Sequence, residues 1–204
     1  MKWLVTAGPT REHWDPVRFL SNRSSGRMGY AIGEAARAFG AVTLVSGPVA
    51  LPVPAGVELV RVVSAAEMAE AVWSRFDEAD VVVMAAAVCD FRPKQVATEK
   101  WKKDSAPRVI ELEPTPDILA ECGRRKRRQV LVGFAVETEQ LEERASEKLR
   151  RKNLDWIVAN EATAFEAETN RVVLLGADGS REEFPELPKD ELARRLVARW
   201  VRRS

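Results

Sequence analysis

The chain has 204 residues, 46% hydrophobic and 31% charged, which is the composition of an ordinary globular protein and excludes a disordered one. With 32 basic and 31 acidic residues the net charge is +1, so bulk electrostatics recruits neither nucleic acid nor an anionic membrane, and any anion site must be local. Cys89 and Cys122 are too few and too far apart for a disulfide scaffold or a cysteine zinc site, no apolar stretch could span a bilayer, and a reducing cytoplasm is the expected location.

The N-terminal MKWLVTAG has no cleavable-leader features and reads as a strand over 2–8. Further apolar runs at 41–47, 57–63, 80–88, 129–136 and 155–160 read as strands buried on both faces, as in a parallel sheet. Between them the pattern turns helical. Met28, Ile32, Ala35, Ala36 and Phe39 form a stripe over 27–39 that stops at Gly40. Ser64 and Glu67 make a capping box for a helix over 65–76. Thr115 and Pro116 supply a cap and a first-turn proline before DILAECGRR, and 139–152 is a charged helix. Residues 171–184 read as a hairpin around Asp178-Gly179, and a helix over 188–203 ends the chain. Residues 89–108 are too long and polar for an ordinary βα connection and read as a mobile flap. The expectation is one α/β domain over 1–204, Rossmann-like and doubly wound, with a mainly parallel sheet, a C-terminal β-hairpin, and ligands at the carboxyl ends of the strands.

The chemistry is first narrowed by exclusion. The first turn, AGPTRE, lacks G-x-G-x-x-G, and the second strand ends in Ser46-Gly47-Pro48 with no carboxylate for a ribose, which disfavours a nicotinamide oxidoreductase. No P-loop occurs, and one histidine, His13, is too few for a triad or a His-rich metal site. The basic run GRRKRRQ at 123–129 raises a nucleic-acid module, but it sits at a helix end, where cations suit the dipole. What remains is RFLSNRSSGRMG at 18–29, an anion site or a helix cap, together with Asp90 past a buried strand and the lysines of EKWKK. Lys148 and Lys152 share a helix face that, taken alone, reads as solvated.

Taken in order, TAGPTRE, DPVRFLSNRSSGRMG, VTLVSGP, MAAAVCDFRP, EKWKK, TPDILA, VGFAVET and KLRRKNLDWIVAN resemble the signature segments of phosphopantothenoylcysteine synthetase, from about residue 4 to at least 160. The resemblance implies a ligase of coenzyme A biosynthesis. CTP activates the carboxylate of 4′-phosphopantothenate as an acyl-cytidylate with release of pyrophosphate, and the amine of L-cysteine then attacks the acyl carbon. Such an enzyme mainly positions groups and stabilises charge, so no histidine or cysteine nucleophile is needed. In bacteria this ligase is usually fused behind a flavin-dependent decarboxylase; the expectation here is a stand-alone synthetase or an excised domain.

Carried over by position, the resemblance makes Asn22 the amide that hydrogen-bonds the acyl intermediate and Lys100 the flap cation that helps to form it. Met84, Ala85, Ala86, Asp90, Pro116, Asp117, Ile118, Leu119, Phe134, Lys148 and Lys152 become nucleotide contacts, with Asp90 at the ribose. The lysine pair matches the CTP-using bacterial type rather than the ATP-using eukaryotic one. Ser24, Ser25, Gly26 and Gly29 become a cradle for the substrate phosphate, with Arg18 or Arg27 as its charge partner. A homodimer and magnesium with the triphosphate are implied, the metal without a named protein ligand. Cys89 and Thr115 depart from the residues frequent at their positions without removing a polar group given a role.

Overall fold

The structure is a computed structural model that describes residues 1–103, 109–137, 140–161 and 168–201. The six apolar runs become six parallel strands of one sheet: β1 (Lys2–Ala7), β2 (Ala41–Ser46), β3 (Glu58–Arg61), β4 (Val81–Met84), β5 (Val130–Glu137) and β6 (Trp156–Glu161). The hairpin β7 (Thr169–Gly176) and β8 (Arg181–Pro188) extends the sheet antiparallel beyond β6, turning at Asp178-Gly179. The spatial order is β3-β2-β1-β4-β5-β6-β7-β8, so the winding reverses between β1 and β4. That crevice is where an open α/β sheet binds ligands.

Helices cover both faces because every central strand is apolar on both. Helix α1 (Arg27–Ala36) and α5 (Lys189–Val201) bury Ile32, Ala36, Leu192, Leu196 and Trp200 against one face. On the other, α2 (Ala65–Phe76), α3 (Ile118–Arg125) and α4 (Leu141–Arg151) bury Met68, Val72, Phe76, Leu119, Cys122 and Leu149. The doubly wound expectation holds. Ser64 caps α2 by accepting the Glu67 N–H at 3.2 Å, while Glu67 reaches back to the N–H of Val63 at 2.8 Å. The cap expected of Thr115 is corrected: Asp117 caps α3 by accepting from the Ala120 N–H, and the Thr115 hydroxyl donates instead to the Cys89 carbonyl. The shorter-range carboxylate two residues on out-competes the hydroxyl, which the chain needs to tie the flap root.

Two short antiparallel pairs lie outside the large sheet, Glu12–His13 with Phe19–Leu20 and Phe91–Pro93 with Leu112–Pro114. The second closes the base of the flap; residues 104–108 of that segment, and the ends of the helices expected at 139 and 202–203, lie outside the described residues. The basic run 124–128 is largely neutralised in place: Arg124 pairs with Glu121, Arg125 with Asp77, Lys126 with Asp155 and Arg128 with Asp80.

The first βα turn carries a dinucleotide-type glycine set that the linear sequence hides. Gly8 ends β1, and a Cβ on Gly26, which has φ +77°, would stand 3.2 Å from the Gly8 backbone, so residues 9–25 form an excursion between two touching glycines. Gly29 follows three residues later, and a Cβ there would fall 2.6 Å from Ala7 Cβ and 2.7 Å from the Thr6 carbonyl. The helix therefore rests directly on the strand. Gly29→Ala forces α1 off β1 and should cost about 3 kcal/mol, read as a lowered urea midpoint at unchanged m-value.

Candidate active site

At the reversal, the chain after β4 leaves the sheet and is stitched to the chain after β1. The Ala86 N–H donates to Thr6 Oγ1 at 3.1 Å, the Ala87 N–H to the Gly8 carbonyl at 3.0 Å, and the Cys89 N–H to Thr10 Oγ1 at 2.9 Å. Asn22 closes the seam, its Nδ2 donating to the Ala87 carbonyl at 2.5 Å and its Oδ1 accepting the Ser24 N–H at 3.1 Å. The side chain is thus fixed at the crevice, and an amide nitrogen carries a second hydrogen for a ligand.

Two cavities flank this seam. One, of about 350 Å³, is lined by Asn22, residues 24–29, residues 85–88, Asp90, Phe134, Val136, Lys148, Asn160, Asn170 and Lys189. The other, of about 390 Å³, is lined by Met84, residues 88–90, residues 114–119, Lys148 and Lys152, with Ala86 and Phe134. They share Ala86, Val88, Asp90, Phe134 and Lys148. Every residue expected to contact nucleotide lines one or both, and Ser24, Ser25, Gly26, Arg27 and Gly29 line the first.

Lys148 of α4 and Lys152 at its C-terminal cap are both partly buried and turned inward. Lys148 Nζ donates to the Phe134 carbonyl at 2.7 Å, and Lys152 Nζ to the capping carboxylate Asp117 Oδ1 at 2.8 Å. Burial works to raise the Asp117 pKa, but the hydrogen bonds from Lys152 and the Ala120 N–H, with the charges of Lys152 and Lys148, outweigh it and hold it below 3.8. A depressed folded value means that this pairing stabilises the fold fully above the ordinary carboxylate pKa and fades as pH falls through the lowered one. Lys152→Met should move the Asp117 titration to higher pH, followed by carboxyl 13C NMR. Cys89 lines the second cavity, and burial pushes its thiol above the usual value, with Glu12 and Asp90 adding to the rise against a contact with Thr10. It is no thiolate nucleophile at neutral pH.

Arg18 and Lys100 line neither cavity. Arg18 is held elsewhere. Its Nη1 meets Asp15 Oδ2 at 2.6 Å, and both terminal nitrogens lie 3.2 Å from the Trp101 carbonyl. Asp15, fully buried, also accepts the N–H groups of Val17, Arg18 and Trp101. Burial tends to raise its pKa, and those bonds with the Arg18 charge bring it below the usual value. This clamp fastens the backbone next to Lys100, whose side chain is exposed. Among the described residues no cluster of three or more His, Cys, Asp or Glu forms a metal site, and no helix is long and apolar enough to cross a membrane.

The model of the DNA/pantothenate metabolism flavoprotein C-terminal domain family matches residues 1–203. The chain belongs to this family. It is 50% identical over 192 residues to the coenzyme A biosynthesis bifunctional protein CoaBC of Bacillus subtilis (strain 168), covering 91% of this chain and 47% of that protein. It is 47% identical over 201 residues to a cysteine/cysteine sulfinic acid decarboxylase of an unknown prokaryotic organism, covering 95% of this chain and 56% of that protein. The chain thus spans about half the length of the curated relatives it matches. A crystal structure of the C-terminal domain of CoaBC superposes with a TM-score of 0.84 at 49% identity, covering 97% of this chain and 92% of that one.

Three polar side chains of the first cavity escaped the sequence reading: Asn160 near the end of β6, Asn170 in β7 and Lys189 at the start of α5. The strand-end rule that singled out Asp90 points equally to Asn160. Lys189 carries no such signal, because the hairpin, not its neighbours in sequence, brings it to the cleft. His13 lines neither cavity and meets Phe19 in a tilted ring contact, centroids 5.3 Å apart.

Proposed function

We propose that the chain is the synthetase that joins 4′-phosphopantothenate to L-cysteine through an acyl-cytidylate. The observation that carries this reading is the shared wall of the two cavities, Ala86, Val88, Asp90, Phe134 and Lys148, over which a nucleotide and an acyl chain can meet beside Asn22. It is supported by the extent of the likeness to CoaBC.

The nucleotide takes the cavity lined by Pro116–Leu119, where the start of α3 and Lys152 suit phosphate oxygens, with Asp90 at the ribose and the Phe134 ring against sugar or base. The acyl substrate takes the first cavity. Its carboxylate oxygen attacks the α-phosphorus, the α–β anhydride bond breaks, and pyrophosphate leaves. Lys100, brought over by closure of the flap on its Asp15–Arg18 clamp, offsets charge as the two anions approach, and closure excludes water. The cysteine amine then attacks the acyl carbon and loses a proton, and CMP leaves with the former carboxylate oxygen. The free hydrogen of the Asn22 amide stabilises the oxyanion. Asp90 and Asp117 are the carboxylates of the two cavities and Asp117 is held by Lys152, so magnesium would be bound chiefly by triphosphate oxygens and water.

A homodimer accords with the exposed apolar side chains of the two short pairs and their flanks, Val17, Phe19, Phe91, Val96, Val109 and Leu112. A nicotinamide oxidoreductase is favoured by one observation, the spatial set Gly8, Gly26 and Gly29, and opposed by Ser46 at the end of β2. The deciding experiment is pyrophosphate release with 4′-phosphopantothenate, comparing CTP with ATP and with cysteine present or absent. Nucleotide-dependent release, with CTP ahead, supports the ligase. Tight NADPH binding without CTP binding, or nucleotide-independent loss of carbon dioxide from cysteine, contradicts it.

A further inference from the structure

Thr10 lines neither of the two cavities, yet it is bonded to both sides of the seam that Asn22 closes. It is fully buried in the excursion between Gly8 and Gly26, and its N–H, its hydroxyl and its carbonyl are each engaged. The N–H donates at 3.2 Å to the Ala87 carbonyl, the same oxygen that accepts Asn22 Nδ2. Its Oγ1 accepts the Cys89 N–H at 2.9 Å and so fixes the chain two residues beyond that carbonyl. Its own carbonyl accepts the Ser21 hydroxyl at 2.7 Å, which fixes the residue just before Asn22, and the Cys89 thiol lies 3.5 Å from the same oxygen. Packing does little here. Asn22 is only half-buried and stands between the exposed Ser21 and Arg23, so these polar links are what hold it. Because an amide is planar, fixing the hydrogen given to Ala87 also fixes the direction of the second one.

We propose that Thr10, assisted by Ser21, is a positioning residue for the condensation with cysteine: it holds the Ala87 carbonyl and the backbone before Asn22 so that the second amide hydrogen points at the acyl oxygen. The assignment rests on the ligase reading. A donor stabilises an oxyanion only within hydrogen-bond reach and near-linear geometry, and a misplacement of about 1 Å can cost about 100-fold in rate. Activation, which draws on the charge of Lys100, makes less use of that aim. Valine in place of Thr10 keeps the volume but takes the acceptor from the Cys89 N–H, and a peptide that has lost its acceptor moves toward water and carries the Ala87 carbonyl with it.

The test is a double-mutant cycle with the two steps read separately. Thr10→Val should slow single-turnover condensation by about 10- to 100-fold and leave pyrophosphate release little changed, while Thr10→Ser, which keeps the oxygen, should retain most of the rate. Ser21→Ala, at an exposed position, should slow the same step by about 3- to 10-fold and decides the matter should Thr10→Val not fold. In an Asn22→Ala background both substitutions should slow condensation no further, because the group they aim is gone. Full additivity in that background, or equal slowing of both steps, overturns the proposal. Side-chain amide NMR reads the same aim without turnover, the Asn22 signals being assigned by their loss in Asn22→Ala. The hydrogen given to Ala87 should exchange with solvent about 10-fold faster in Thr10→Val than in the wild type, and an unchanged rate contradicts the proposal. Failure of the ligase reading shows separately, as wild-type protein that releases no pyrophosphate from CTP.

Discussion

Lys100→Gln should slow cytidylate formation by about 100-fold or more, the usual loss when a charge-stabilising group is removed from a transition state. The amide removes the charge while keeping a polar tip on a stem one bond shorter. The loss should fall on the first chemical step, measured as single-turnover pyrophosphate release, and leave the KM for cysteine little changed. Lys100 is exposed and its neighbour Trp101 is clamped by Asp15 and Arg18, so the proposed role requires the ammonium to move to the cleft from a fixed root. If the Gln variant releases pyrophosphate at the wild-type rate, Lys100 has no part in activation.

The second large effect is expected at Asn22. Asn22→Asp replaces a donor by an acceptor and sets a negative charge where the second step develops one, so condensation with cysteine should fall by about 100- to 1000-fold while activation continues. The acyl-cytidylate should then accumulate and be visible by mass spectrometry of the quenched reaction. A merely structural role, through the 2.5 Å bond to the Ala87 carbonyl, would slow both steps together and leave no intermediate.

The sheet was legible because it rests on short-range patterns: six continuous apolar runs, helical stripes after four of them, and a hairpin announced by Asp178-Gly179. Boundaries were less so. The run 80–88 reads as one strand, yet β4 stops at Met84, since Thr6, Gly8 and Thr10 take the hydrogen bonds of residues 86–89 and turn that apolar stretch into the floor of the site. Lys148 and Lys152 sit in a sequence that looks solvated, and only the packing of α4 against β5 and the start of α3 shows that both turn inward. Arg18 shows the opposite. Its place in a glycine-rich turn suggested the substrate phosphate, but the buried carboxylate of Asp15 three residues earlier holds it against the flap. Gly8 and Gly26 touch across a 17-residue excursion, a proximity that no local pattern encodes. Lys189 is likewise delivered by tertiary contacts alone.

The most direct test of the central claim follows one oxygen atom. With 4′-phosphopantothenate labelled with 18O in its carboxylate, the wild-type protein, CTP and cysteine, the account predicts one labelled oxygen in the CMP that is released. Label in inorganic phosphate, or none transferred to either, would contradict an acyl-cytidylate formed across these two cavities.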